Sequence, residues 1–130
     1  MSNVDLITQF ESGETAPDSF HHADHVRLAF EYLSRYSTLE ALSRFCQALK
    51  KFAASHGKVG LYHETITFAY LFLIRERMAS AEKAVSWDEF LARNPDLFIW
   101  KGGILDVMYR PETLKSDLAR QTFVLPDRNR

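Results

Sequence analysis

The chain has 130 residues, with 16 basic and 17 acidic side chains, a net charge of −1 and one cysteine. This length predicts a single domain, residues 1–130, with a core of its own. The balanced charge gives no overall field to attract nucleic acid or acidic lipid, so we expect neither as a partner. No secretory leader, membrane-spanning run or cysteine pair is present in this sequence, so we expect a soluble, cytoplasmic protein.

The first half of the sequence carries three helical patterns. Apolar residues recur at helical spacing over about 4–12 and again, more strongly, over about 19–36. Ser37 with Glu40 three residues later forms a candidate capping box for a third helix. That helix should end at His56-Gly57, because glycine readily takes the left-handed conformation that closes a helix.

The second half begins with the most apolar segment, about 61–79, which contains TFAYLFLI and predicts a central helix surrounded by others. Ser86 and Glu89 form another candidate capping box, opening a short helix. Beyond Asp96 we expect helical turns linked by bends, then an extended tail over 123–127 lying on the body. No segment shows clear two-residue alternation. The sequence therefore predicts an all-α, compact bundle of about five to six helices with an irregular C-terminal tail.

Three of the five histidines lie in FHHADHV, residues 20–26, where the second helix begins. At 100° per residue, His22 and His25 share the apolar side of this helix, whereas His21 approaches the polar side. The polar side consists of Asp24, Arg27, Glu31, Ser34 and Arg35. Side chains three residues apart are close enough for two imidazoles to bind one ion. His22 and His25 are therefore candidate metal ligands, with His21 and His25 as the competing pair.

A metal site needs a third ligand, and the strongest candidate is His63, in the segment Tyr62-His63-Glu64-Thr65. Its wheel position is on the line of Thr67, so it too should point inward. Glu64 is the candidate general base or additional ligand. Three nitrogen ligands suit Zn²⁺, and histidines with a carboxylate equally suit Fe, Mn or Ni; no organic cofactor is indicated. The competing interpretation is that these side chains cap helices and bond to backbone carbonyls.

The chain resembles a group of small bacterial proteins that combine three motifs. These are aromatic-x-His-x-x-His with Leu or Val, then Tyr-His-Glu-Thr, then a C-terminal Ala-Arg followed by Phe-Val-x-Pro-Asp. Here they fall at residues 20–26, 62–65 and 119–127, with Leu118 as a local departure in SDLAR. The resemblance implies a helical bacterial protein with a histidine-rich pocket and favours His22 over His21. It implies no particular activity.

Three further side chains are candidate contacts for a small-molecule substrate: Tyr62, Thr67 and Arg120. A guanidinium presents a bidentate fork to carboxylate or phosphate, although Arg120 also has Asp117 and Asp127 nearby in sequence as partners for a surface pair. The first hypothesis is a metal-dependent, hydrolase-like enzyme. The alternatives are a metal-free helical protein that binds a small molecule and a structural or interaction module with histidines in its core. The sequence does not decide whether copies of the chain associate.

Overall fold

The computed structural model describes residues 3–13, 15–16, 20–81 and 83–128, without the side chains of residues 3–5 and 59. Over these residues the chain forms eight α-helices and two short 3₁₀ turns, and no β-strand. The predicted all-α class is confirmed. The chain divides into two compact units, residues 1–62 and 63–130.

The first unit contains the three helices predicted for the first half of the sequence. They are α1 (Asn3–Glu11), α2 (His22–Arg35) and α3 (Thr38–Ser55), followed by a 3₁₀ turn at Val59–Leu61. Ser37 caps α3 by accepting a hydrogen bond from the amide of Glu40, as predicted. Gly57 ends α3 in the left-handed region, with φ +68°, and the next amide bonds back to Ala53 at 2.8 Å.

The core of the first unit is aromatic. The rings of Phe10, Phe20 and Phe52 lie with centroids 5.0–5.2 Å apart, which joins α1, the segment preceding α2, and α3. Tyr32 is completely buried and donates a hydrogen bond from its hydroxyl to the carboxylate of Glu11 at 2.5 Å. Burial of such rings is the main source of stability in a unit of this size.

The second unit contains α4 (Glu64–Ala79), α5 (Trp87–Arg93) and three shorter helices. These are α6 (Ile104–Met108), α7 (Pro111–Leu114) and α8 (Asp117–Gln121), with a 3₁₀ turn at Pro95–Phe98. The α4 helix packs against α8 and buries residues on several sides, as its apolar sequence predicts. Ser86 and Glu89 form the predicted capping box at the start of α5.

The extended tail after α8 packs on the second unit as predicted. The hydroxyl of Thr65 donates to the carbonyl of Thr122 at 2.8 Å and accepts from the amide of Val124 at 3.0 Å. The ring of Phe123 stacks on Phe68 with centroids 5.6 Å apart. The hydroxyl of Tyr109 donates to the carbonyl of Val124 at 2.6 Å. The hydroxyl groups of Thr65 and Tyr109 thus form the hydrogen bonds to the tail backbone that a neighbouring strand would form in a β-sheet.

Two details differ from the sequence prediction. The α4 helix begins at Glu64 and not near 61, because His63 caps it and residues 59–61 form a separate 3₁₀ turn. The region after 103 folds into three helices of four or five residues, so the described helices exceed the five or six expected. Within the described part of the chain, no helix is long and apolar enough to cross a membrane.

Candidate functional site

The predicted inward histidine pair lies on the first turn of α2. His22 is the first residue of the helix and His25 follows three residues later, so their side chains project on one side. Their rings are nearly parallel, at 18°, with centroids 6.4 Å apart. Both residues are half-buried. The structure therefore brings together two of the three predicted metal ligands.

His21 lies outside this pair. It is the residue before α2, and its side chain is 74% exposed, 3.7 Å from the carboxylate of Asp24. The same carboxylate accepts a hydrogen bond from the His21 amide at 2.9 Å, which stabilises the start of the helix. His21 is thus solvent-facing whereas His22 is half-buried, and Asp24 caps the helix by accepting from the His21 amide.

Aromatic rings surround the inner histidine of the pair. The ring of His25 packs edge-on against Phe45 at 5.1 Å and against Phe20 at 6.3 Å between centroids. Burial, and secondarily the charge of His22, lowers the pKa of His25 to about 3. The imidazole is therefore neutral at physiological pH, which is the form that ligates metals.

His63 has a defined structural role in the second unit. It precedes α4, and its Nδ1 accepts a hydrogen bond from the amide of Ile66 at 3.2 Å, capping the helix. Its Nε2 donates to the carbonyl of Leu114, at the end of α7, at 2.6 Å. These bonds assign the proton of the neutral ring to Nε2. The residue is only 8% exposed, and burial lowers its pKa. Both ring nitrogens are thus engaged within the second unit.

Other predicted site residues lie near His63 in the second unit. Glu64 is half-buried in the first turn of α4, where a carboxylate is favoured by the helix dipole. Thr67 is buried, and its hydroxyl donates to the carbonyl of His63 at 2.8 Å. Arg120 is exposed on α8, and its positive charge contributes to lowering the pKa of His63. The start of α4 therefore combines His63, Glu64 and a nearby cation.

Tyr62, the remaining predicted substrate contact, belongs to the first unit. Its ring is half-buried, and the ammonium of Lys50 lies 5.2 Å from the ring centroid. This separation is within the range of a cation–π interaction.

The sequence prediction was wrong about Glu31, which it placed on the polar side of α2. The side chain is 0% exposed, and all residues from Leu28 to Leu33 are buried, so the middle of the helix is enclosed on every side. Arg27 Nε is 3.6 Å from a carboxylate oxygen, and neither oxygen has a hydrogen-bond partner among the described residues. Burial raises the pKa of Glu31, while Arg27 and Arg35 act in the opposite direction. A helical wheel identifies an apolar face but not the burial of the opposite one.

Among the residues that the structure describes, no group of three histidine, cysteine, aspartate or glutamate side chains has the geometry to hold a metal ion. Comparison with known proteins gives no match to a family model, to a curated protein or to a solved structure.

Proposed function

We propose that the protein binds a divalent transition-metal ion through the imidazoles of His22 and His25. The observation that carries the proposal is the position of the two rings three residues apart on the same side of α2, with centroids 6.4 Å apart. Imidazole is the ligand type that Zn²⁺, Ni²⁺ and Cu²⁺ accept readily. The resemblance to the bacterial proteins described above adds support, because it includes both positions.

The distance between the rings suits this proposal after a small adjustment. With a metal–nitrogen bond of about 2.0–2.1 Å, a ring centroid lies about 3 Å from the metal, and two rings on a tetrahedral ion have centroids about 5 Å apart. The observed separation is 6.4 Å. His22 is half-buried at the first residue of the helix, so the proposal requires a rotation of its side chain that closes this gap and turns a ring nitrogen toward the ion.

The wider hypothesis adds His63 as a third ligand and Glu64 as general base or further ligand, with Zn, Fe, Mn or Ni as the metal. Its chemistry is hydrolysis by a metal-activated water, with Tyr62, Thr67 and Arg120 as contacts to a small-molecule substrate. His63 has to exchange its hydrogen bond to Leu114 for a metal bond in that case. The hydrogen bond to Leu114 favours the competing interpretation for His63, in which this histidine stabilises the fold and binds no metal.

Metal content separates the two interpretations. The protein, purified without a metal-affinity tag, is analysed for metals and then titrated with Zn²⁺ and Ni²⁺ against a competing chelator. The matched variants are His22→Ala and His21→Ala, which remove neighbouring imidazoles, one inward and one 74% exposed. We expect binding of one ion per chain that His22→Ala weakens and His21→Ala leaves unchanged.

Two results would overturn the proposal. One is less than about 0.1 metal per chain together with no change in stability on chelation, since a bound metal adds to the free energy of folding. The other is equal binding by the two variants. Adding His63→Ala to the series tests the wider hypothesis. If His63 is a metal ligand, this variant should bind metal more weakly. If His63 only caps α4, the variant should lose stability and keep its metal affinity.

A further inference from the structure

A small cleft in the second unit lies between the end of α4 and α5. Its lining includes Arg77, Val85, Phe90, Arg93 and Asn94, and its volume is about 220 Å³. Pockets for drug-sized ligands span about 300–1,000 Å³, so this cleft suits a smaller molecule. It is separate from the histidines discussed above, none of which lines it.

A connected network of hydrogen bonds links the side chains that form the polar wall of the cleft. The guanidinium of Arg77 donates to the side-chain oxygen of Asn94 at 2.8 Å and to both carboxylate oxygens of Asp96, at 3.0 and 2.7 Å. The side-chain amide of Asn94, which is 8% exposed, donates to the carbonyl of Phe90 at 2.9 Å. This wall is therefore held in place without a ligand, which lowers the entropic cost of binding one.

The two guanidinium groups at the cleft differ in how closely a carboxylate compensates their positive charge. Asp96 compensates Arg77 in a bidentate pair, with the two groups 2.7 Å apart at their closest. Arg93 is exposed at the end of α5. Its nearest acidic neighbour along the helix is Glu89, whose carboxylate accepts a hydrogen bond from the Ser86 amide and also interacts with the Arg93 charge. The exposed guanidinium of Arg93 is thus the one of the two that an anion from solvent can reach, and the half-buried Val85 supplies apolar surface at the cleft.

We propose that this cleft binds a small organic monoanion, a short-chain or aromatic carboxylate, with Arg93 as the anchoring cation and Arg77 as a positioning residue. The carboxylate accepts hydrogen bonds from the Arg93 guanidinium, and the hydrocarbon part covers Val85. Inorganic phosphate lacks the apolar part, and the amide of the same acid lacks the charge. Both should bind more weakly than the carboxylate.

The test is a titration of the ¹⁵N-labelled full chain with butyrate, butyramide and inorganic phosphate, followed by amide chemical shifts. We expect saturable shifts with butyrate that map to Val85, Phe90 and Asn94. Arg93→Gln should weaken butyrate binding about fivefold, which corresponds to about 1 kcal/mol for one solvent-accessible charge-assisted contact. Arg75→Gln, on α4 but outside the cleft, is the matched control and should bind as the parent chain does.

The proposal fails if butyrate produces no saturable shift up to about 20 mM, a concentration that detects even millimolar affinity. It also fails if butyramide binds as well as butyrate, or if the two arginine variants bind equally. Arg93 is exposed, so its variant should keep the fold, which the dispersion of the same spectra checks.

Discussion

Replacement of His63 by alanine should lower the free energy of unfolding by about 2 kcal/mol in the presence of a chelator. Loss of the cap on α4 accounts for about 1 kcal/mol, the typical cost at such a position. Loss of the hydrogen bond to the carbonyl of Leu114 accounts for about another 1 kcal/mol. The change should appear as a lower midpoint with an unchanged slope in urea, monitored by circular dichroism.

Two matched variants separate these contributions. His63→Asn retains a side-chain acceptor for the Ile66 amide but does not reach Leu114, so it should recover about half of the loss. Ser37→Ala removes only a cap, that of α3, and should cost about 1 kcal/mol. Amide exchange at Ile66 should accelerate in His63→Ala and much less in His63→Asn.

The capping role would be refuted by a His63→Ala chain whose stability lies within about 0.5 kcal/mol of the parent, the range of ordinary surface substitutions. A loss that appears only when metal is present would instead assign His63 to the metal. The chelator and metal arms of the experiment therefore distinguish the two roles.

Two further predictions concern the buried side chains of Glu31 and Thr65. Glu31→Gln should stabilise the protein by about 1 kcal/mol at pH 8, since it removes a buried carboxylate that lacks hydrogen-bond donors among the described residues. The raised pKa of Glu31 means that the folded chain binds the extra proton, so stability declines as pH rises from the unfolded value of 4.5, and the gain should vanish in acid. Urea denaturation across this pH range measures the difference in the free energy of unfolding between the variant and the parent. The control is Glu40→Gln at an exposed position, where we expect almost no change. A Glu31→Gln variant that is less stable than the parent at pH 8 would contradict the reasoning. Thr65→Val keeps the shape but removes both bonds to the tail, and should cost about 1–2 kcal/mol while accelerating exchange of the Val124 amide. Protection of that amide equal to the parent's would be the contrary result.

The sequence predicts the long helices well because their signals are local. Apolar periodicity places α2 and α3, and the pairs Ser37–Glu40 and Ser86–Glu89 mark helix starts within one turn. The short helices after residue 103 contain only four or five residues each, too few for a period to be recognised. Their ends are determined by tertiary contacts, which local sequence does not display.

The candidate site shows the same division between local and distant information. The helical wheel selects His22 and His25 over His21 because all three belong to one helix start. It does not reveal that His63 bonds to Leu114, 51 residues later, nor that Glu31 is enclosed. Both depend on which elements pack together, and a single sequence carries that information only indirectly.

The dependence of α4 on the tail has a consequence for synthesis on the ribosome. The first unit has all of its helices once residue 62 has emerged, so it can fold while translation continues. The second unit cannot complete its folding in the same way, because Thr65 and Phe68 near its beginning contact residues 122–124 near its end, which are synthesised later. Until then, the most apolar helix of the chain lacks the segment that covers its aromatic side. A nascent chain stalled before residue 122 should therefore bind chaperones more strongly than the released protein.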